Sequence, residues 1–244
     1  MYEKLKKVVK KVVPSAILKG NEELLRKVVA LKYAGNNQQC NICDFKVKEF
    51  VVLENSDVLC PKCGSLSRTR RLWSILEPEI TSKRILHFSP SKSIRTKLNN
   101  SDAQAYVTTD FVGEFDTEKH LDITNIDEPD DTYDIIICYH ILEHIAADTK
   151  AMSELFRVLK PNGSCYIQTP FKEGDTYENP EIITDEGRLE HFGQEDHLRI
   201  YSTSGLITRL QSVGFKIKHL GFNDSATNWN GFKQQEDVIV ASKI

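Results

Sequence analysis

Long apolar runs are what this chain of 244 residues lacks. Nowhere do eighteen consecutive apolar residues occur, so an ordinary membrane-spanning helix is excluded. Lysines interrupt the first twenty residues repeatedly, leaving no apolar core for a secretory signal. The cytoplasm is therefore the expected location. In that reducing setting six cysteines point to metal binding or burial rather than disulfides. Internal repeats and low-complexity tracts are also missing, which removes repeat arrays and disordered tracts from consideration. What is present is a globular composition, 40% hydrophobic and 27% charged, enough to build a sizeable core.

The net charge of −3 conceals an asymmetry. Residues 1–39 carry nine Lys or Arg against three Glu, a balance of +6 that leaves −9 for the rest. Leu5, Val8, Val9, Val12 and Val13 form a helical stripe over residues 2–13, opposed by lysines and ended at Pro14. A second helix is expected from Asn21, a plausible N-cap, to about Tyr33. Peripheral membrane contact through residues 1–13 and contact with nucleic acid both fit such a basic leader, and so does a solvated helix face. The expected division is a basic helical leader (1–38), a small cysteine module (39–66), a connecting helix (67–82) and a large α/β domain (83–244).

Within the small module, Cys40 and Cys43 form one Cys-x2-Cys pair and Cys60 and Cys63 another, sixteen residues apart. Thiolates three positions apart on a tight turn can grip one tetrahedral ion, and two such turns complete the tetrahedron. The spacing points to a structural zinc ribbon. With four protein ligands no position is left for water or substrate, so Zn2+ here would fold a segment that lacks a core of its own. Gly64 is expected to free the second turn. Cys138 and Cys165 fall in strand patterns and read as buried small hydrophobes.

Beyond residue 82 strands and helices alternate. Strand patterns at Arg84–Phe88, Ala105–Thr109, Asp134–Tyr139, Ser164–Gln168, Phe215–Leu220 and Asp237–Ala241 are separated by helical patterns at Lys92–Leu98, Asp148–Leu159 and Ser204–Val213. Such βαβ alternation predicts a mostly parallel sheet with helices on both faces. The unbroken apolar run Ile135-Ile136-Ile137-Cys138 predicts a central strand buried on both sides.

The segment from Asp131 through Tyr139-His140-Ile141-Leu142-Glu143-His144 resembles the fourth-strand motif of class I S-adenosylmethionine-dependent methyltransferases. Glu154 to Ser164, containing Leu159-Lys160-Pro161-Asn162-Gly163, is similar to that family's following helix, turn and fifth strand. The whole order, with the cysteine pairs ahead and Phe192-Gly193-Gln194-Glu195-Asp196-His197-Leu198-Arg199 behind, resembles a bacterial type 11 subgroup that carries a zinc ribbon. The resemblance implies a Rossmann-like sheet of seven strands, the last antiparallel, and S-adenosylmethionine as cofactor. It also implies that Asp110, at the end of the second strand, holds the ribose hydroxyls, that Asp122 and Ile123 meet the adenine, and that Tyr139 and His140 complete the cofactor set. The first loop, His87-Phe88-Ser89-Pro90-Ser91-Lys92-Ser93, departs from the family pattern in having neither glycine nor acid. Ser89 lies in it, and Ser91 or Ser93 would cap the next helix and turn amides toward the cofactor's carboxylate.

Methyl transfer from a sulfonium is mainly a matter of alignment, and a base helps when the acceptor is a hydroxyl. His144 and His197 are the expected bases, with His140, Glu143, His191, Asp196 and Tyr201 nearby in the pattern. A small-molecule, sugar or glycan hydroxyl is the expected acceptor. RNA is the alternative substrate, with Arg68, Arg70 and Arg71 after the ribbon as a basic patch, and a non-catalytic zinc-ribbon binding module is a further one. Against RNA stand Tyr139-His140-Ile141-Leu142, where base-methylating relatives carry Asn/Asp-Pro-Pro-aromatic, and the lack of a cysteine nucleophile in Thr169-Pro170-Phe171.

Overall fold

The computed structural model describes residues 26–111, 113, 117–225 and 227–244. The expected leader helix over 2–13, its membrane contact and the Asn21 cap lie outside the described residues. The chain divides into two compact units. One comprises the chain up to Glu79 with Ser91–Asn100 and Phe222–Glu236, and the other comprises Ile80–Pro90, Ser101–Gly221 and Asp237–Ile244.

In the first unit, residues 26–33 are helical (α1). Two small antiparallel ladders follow: β1 (Ala34–Gln39) with β2 (Lys46–Val47), and β3 (Val51–Val52) with β4 (Val58–Leu59). Helix α2 (Ser67–Leu76) lies against them, and α3 (Lys92–Asn99) belongs to the same unit.

The centre of this unit is a charged residue. Arg70 is 0% exposed, and its guanidinium donates to the carbonyls of Ser65 (2.6 Å), Val58 (3.0 Å), Asn230 (2.6 Å) and Gly231 (2.5 Å) while stacking on Phe50. Arg71 is buried too, paired with Asp224 and Glu236 and held between Phe222 and Phe232. The expected surface patch of three arginines is thus corrected. Only Arg68 stays partly exposed, and it pairs with Asp57 at 3.2 Å. The reason is that a ribbon of short ladders leaves carbonyls unpaired, and a planar five-donor fork can satisfy several at once. Replacing Arg70 by Lys, which keeps the charge but not the fork, should cost about 2 kcal/mol as buried carbonyls lose their donors. Urea unfolding of R70K against wild type measures it, and an unchanged midpoint would refute the hub role.

The second unit holds the main sheet. Its strands are β5 (Arg84–Phe88), β6 (Ala105–Thr109), β7 (Tyr133–Tyr139), β8 (Leu159–Gln168), β12 (Lys216–Asn223) and β13 (Gln235–Ser242), in the order β12-β13-β8-β7-β5-β6. β5 pairs in parallel with both β6 and β7, β7 pairs in parallel with β8, and β13 runs antiparallel to β8. A three-stranded sheet beside it, β10-β11-β9, is built from β9 (Phe171–Lys172), β10 (Tyr177–Glu178) and β11 (Arg199–Ser202). Helices α4 (Asp148–Val158), α5 (Asp185–Phe192) and α6 (Thr203–Ser212) complete the unit.

The expected α/β architecture is present, with one strand fewer than the implied seven among the described residues. Beyond β6 the edge is reduced to a single parallel bridge, Thr109 to Lys119. Ladder formation stops there because Asp122 closes its own turn, its Oδ1 accepting from Thr124 N and Oγ1, both at 2.8 Å. As expected, β7 is buried through Ile135, Ile136, Ile137 and Cys138. Asp134 at its start ties the neighbours on, accepting from Arg84 N and Lys160 Nζ, each at 2.9 Å. Its carboxyl lies below the ordinary range because these bonds and the Lys160 charge outweigh its burial.

Near the start of β8, Asn162 is left-handed (φ 64°). Glycine is needed at 163 for space, since a Cβ there would come within 2.8 Å of the Lys160 carbonyl oxygen. Periodicity missed β9, β10 and β11 and also α5, which is capped by Thr184 Oγ1 accepting from Gly187 N at 3.1 Å and ended by left-handed Gly193.

Candidate functional site

The four cysteines stand on two matching turns. Asp44 N donates to the Cys40 carbonyl (2.8 Å) and Gly64 N to that of Cys60 (2.9 Å), while Cys40 N and Cys60 N donate to Phe45 O and Ser65 O. The residue after each pair is left-handed, Asp44 at φ 57° and Gly64 at φ 75°. Cys40 Sγ is 3.7 Å from Cys63 Sγ, and Cys43 Sγ is 3.8 Å from Cys60 Sγ. Those gaps are far beyond a disulfide of about 2.05 Å, and they match the edge of about 3.8 Å of a tetrahedron whose arms are about 2.3 Å long. The donors present therefore fit a zinc ion. Ser65 Oγ lies 3.3 Å from Cys40 Sγ, placed to donate to its thiolate and fix its orientation, and accepts from Cys63 Sγ at 3.2 Å. Sequence reasoning passed over this serine. Cys138 and Cys165 are fully buried in the sheet, and burial pushes both thiols up, as their reading as small hydrophobes requires.

In the second unit the chain leaves β5 toward β6 on one flank and later takes up β7 on the other. The carboxyl ends of β5 and β7 are thus the topological switch point, where open α/β sheets bind ligands. Two non-glycine residues just past those ends are left-handed, Ser89 (φ 46°) and His140 (φ 55°). A loop without glycine has kept the turn that glycine favours, and Ser89 is held in it by bonds at both ends. Its N donates to Thr109 O (2.7 Å) and its Oγ to Asp110 Oδ1 (2.8 Å). Asp110, only 3% exposed, follows β6 directly, and its carbonyl accepts from His120 Nδ1 at 2.9 Å. A buried carboxylate oriented by a hydroxyl at the carboxyl edge of the sheet fits a ribose diol, so the residues accommodate the implied cofactor here.

Other expected cofactor residues fare differently. Asp122 is half-buried and closes its turn through Oδ1, with the carboxyl held below its ordinary range by the Thr124 bonds. Ile123, the other expected adenine contact, is packed into the main core at 4% exposure. Ser91 occupies the N-cap position of α3 in the first unit, but its hydroxyl faces Ser93 Oγ at 3.4 Å and caps no amide. Tyr139 ends β7 half-buried, and His140 follows it, its N donating to Gln168 O at 2.8 Å.

His87, on β5, is buried, and its Nδ1 lies 3.0 Å from Tyr106 Oη. Burial holds its pKa down to about 3. Folded protein then carries neutral His87 at pH values where the unfolded chain is protonated. The stabilisation is complete above about pH 6.5 and is lost as pH falls through that value, by up to about 1.4 kcal/mol per unit. Denaturant unfolding at pH 7, 6 and 5 should show this slope in wild type and a shallower one in H87Q. Equal slopes would show that another group titrates.

The expected bases converge. A short 3-10 turn, Leu142–His144, follows β7, and Leu198 N donates to Glu143 O at 2.9 Å, bringing the loop after α5 against it. His144 and His197 meet edge to face with ring centroids 4.7 Å apart. Asp196 Oδ2 lies 3.0 Å from His144 Nδ1, and His197 Nδ1 lies 3.2 Å from Phe192 O. Glu143, 1% exposed, has His140 Nδ1 3.3 Å from Oε1, too poorly aligned for a hydrogen bond. Burial opposes its charge, but the His140 ring, Glu143's own backbone amide and, less, His144 outweigh that and hold the carboxyl below the glutamate range. Burial and the neighbouring His144 lower the His197 pKa.

Two expected candidates stand elsewhere. His191 is exposed and bonded to Tyr177 Oη at 2.9 Å, and Tyr201 is a core residue that donates to Asp148 Oδ2 at 2.5 Å.

Comparison with known proteins gives concordant results. A family model described as a methyltransferase domain matches residues 70–220. It is the type 23 domain, where the motifs resemble type 11, and the class is the same. A probable S-adenosylmethionine-dependent methyltransferase of Mycolicibacterium smegmatis is 27% identical over 105 residues, 41% of this chain and 35% of that one. A ubiquinone biosynthesis O-methyltransferase of Photobacterium profundum is 25% identical over 115 residues, 45% of this chain and 49% of that one. The matched stretches thus span about a third to a half of those relatives. Among solved structures, the YcgJ protein from Bacillus subtilis superposes with TM-score 0.51 at 15% identity, over 72% of this chain and 99% of that one. A SAM-dependent methyltransferase from Archaeoglobus fulgidus gives TM-score 0.51 at 16% identity, over 72% and 93%. These likenesses establish the fold. No helix among the described residues is long and apolar enough to cross a membrane.

Proposed function

This chain belongs to the class I S-adenosylmethionine-dependent methyltransferases, and from that premise we propose that it methylates a hydroxyl oxygen of a small-molecule, sugar or glycan acceptor. The observation that carries the proposal is the convergence of Glu143, His144 and His197, on the turn after β7 and the loop after α5, at the carboxyl end of β7. Bound S-adenosylmethionine supplies an electrophilic methyl group. This chain's own residues do the rest. Asp110, oriented by Ser89, holds the ribose, and the sheet edge fixes the line of approach. The Glu143, His144 and His197 cluster meets the hydroxyl whose proton must leave. A relative named as an O-methyltransferase supports oxygen as the acceptor atom, and the inward-facing Arg70 and Arg71 weaken the case for RNA. The four cysteines hold structural zinc in this reading.

Calorimetry with S-adenosylhomocysteine should show binding, and labelled methyl groups should pass from S-adenosylmethionine to hydroxyl compounds in a panel of phenols, sugars and glycans. Transfer to ribosomal or transfer RNA, with none to the panel, would overturn the assignment.

A further inference from the structure

The cluster beyond β7 has a feature that an acid-base role leaves unexplained. Glu143 is 1% exposed, yet neither of its carboxylate oxygens has a hydrogen-bond partner. His197 Nε2 and His140 Nε2 are likewise buried and unpartnered. Buried polar atoms are rarely left in this state, and Glu143 and His197 belong, with His144, to one group whose ligand atoms lie close together. The tautomers say which ligand. His197 Nδ1 faces only the Phe192 carbonyl oxygen and so must carry the proton and donate, which leaves Nε2 as a bare lone pair. His144 directs Nδ1 to the Asp196 carboxylate, freeing its Nε2 in the same way. An imidazole that donates one nitrogen to a carboxylate or backbone carbonyl and offers the other is the usual arrangement around a bound cation.

We propose that Glu143, His144 and His197 bind a divalent first-row transition cation, the ligand set being one carboxylate oxygen and two imidazole nitrogens. Their ligand atoms lie within 4.8 Å of one another. A cation with arms of about 2.1 Å draws its ligands to about 3.0–4.2 Å apart, so closure needs side-chain shifts below about 1 Å. Nitrogen with one carboxylate favours zinc, manganese, iron or cobalt over calcium or magnesium. Three protein ligands leave coordination positions open, unlike the closed four-cysteine centre, and an acceptor oxygen is the group that fits there. The ion lowers the pKa of a bound hydroxyl, whose proton passes to solvent water. This deepens the oxygen-transfer reading and rests on it only for what the ion does, not for whether it binds.

The test uses the full chain with one equivalent of Zn2+ filling the cysteine centre, titrated with Co2+. A second equivalent should bind, giving weak visible d–d bands without the intense near-ultraviolet bands of thiolate ligation. E143Q should weaken that binding at least 100-fold, and D196N, at an exposed residue that orients His144, by 10- to 100-fold. No second equivalent below millimolar Co2+, or thiolate bands alone, would overturn the proposal in the wild-type protein whatever the variants do. Binding of S-adenosylhomocysteine is measured in parallel. If it persists while Co2+ fails, the cation site is wrong and the methyltransferase reading stands. If Co2+ binds and S-adenosylhomocysteine does not, the reverse holds.

Discussion

In C60S, zinc should be lost from the cysteine centre and residues 40–66 should open to protease, while the sheet of the second unit stays protected. The size of the effect follows from how little else holds that segment. Its ladders β2, β3 and β4 are two residues long each, and short two-stranded ladders are marginal in water. Structural zinc in comparably small modules supplies apparent binding energies of about 10–16 kcal/mol near neutral pH. The loss should spread into α2, because Arg70 docks that helix on the carbonyls of Val58 and Ser65. Cleavage within residues 40–66 should accelerate at least 100-fold in C60S or after chelation, with zinc content falling by one equivalent. C165S, which alters a buried cysteine far in sequence from the pairs, should keep its zinc. A metal-free wild-type protein with the segment still protected would remove zinc as the organising element.

The four-cysteine cluster and the sheet were legible in the sequence for a common reason: both are written in local spacing. Two Cys-x2-Cys turns need no knowledge of the rest of the chain, and the apolar run of β7 declares its own burial. Arg70 and Arg71 were not legible. An arginine after a ribbon reads as surface because arginine is seldom buried, and only the tertiary structure shows that carbonyls from Val58 to Gly231 await its donors. The grouping of Glu143, His144 and His197 was half legible, since all three stood among the candidates for the site. What spacing could not show is that Leu198 N bonds to Glu143 O and folds the later loop onto the earlier turn. Ser89 carries the same lesson. Its glycine-poor loop read as a departure from the family, yet the backbone takes the left-handed turn regardless, because Thr109 and Asp110 hold it there.

D110A should weaken S-adenosylhomocysteine binding by about 30- to 1000-fold with little change in unfolding midpoint. A carboxylate that accepts from both hydroxyls of a ribose makes two charge-assisted bonds, and losing them is worth about 2–4 kcal/mol. Asp110 is suited to that role, since it lies at the carboxyl edge of the sheet, is 3% exposed, and has one oxygen already aligned by Ser89 Oγ at 2.8 Å. D110N, which keeps the shape but offers one acceptor oxygen, should fall between wild type and D110A. S89A removes the alignment and leaves the acceptor, so it should cost only about 3- to 10-fold, the value of one neutral hydrogen bond. D122A makes the decisive contrast. Asp122 is half-buried and spends Oδ1 on its own turn, so its loss should loosen the loop and weaken binding by less than D110A does. If the order is reversed, with D122A the more damaging, the ribose contact belongs to the turn after the Thr109 to Lys119 bridge and not to the end of β6. Because the two carboxylates differ in burial and in what already binds them, titration of the two variants separates the assignments without any knowledge of the acceptor.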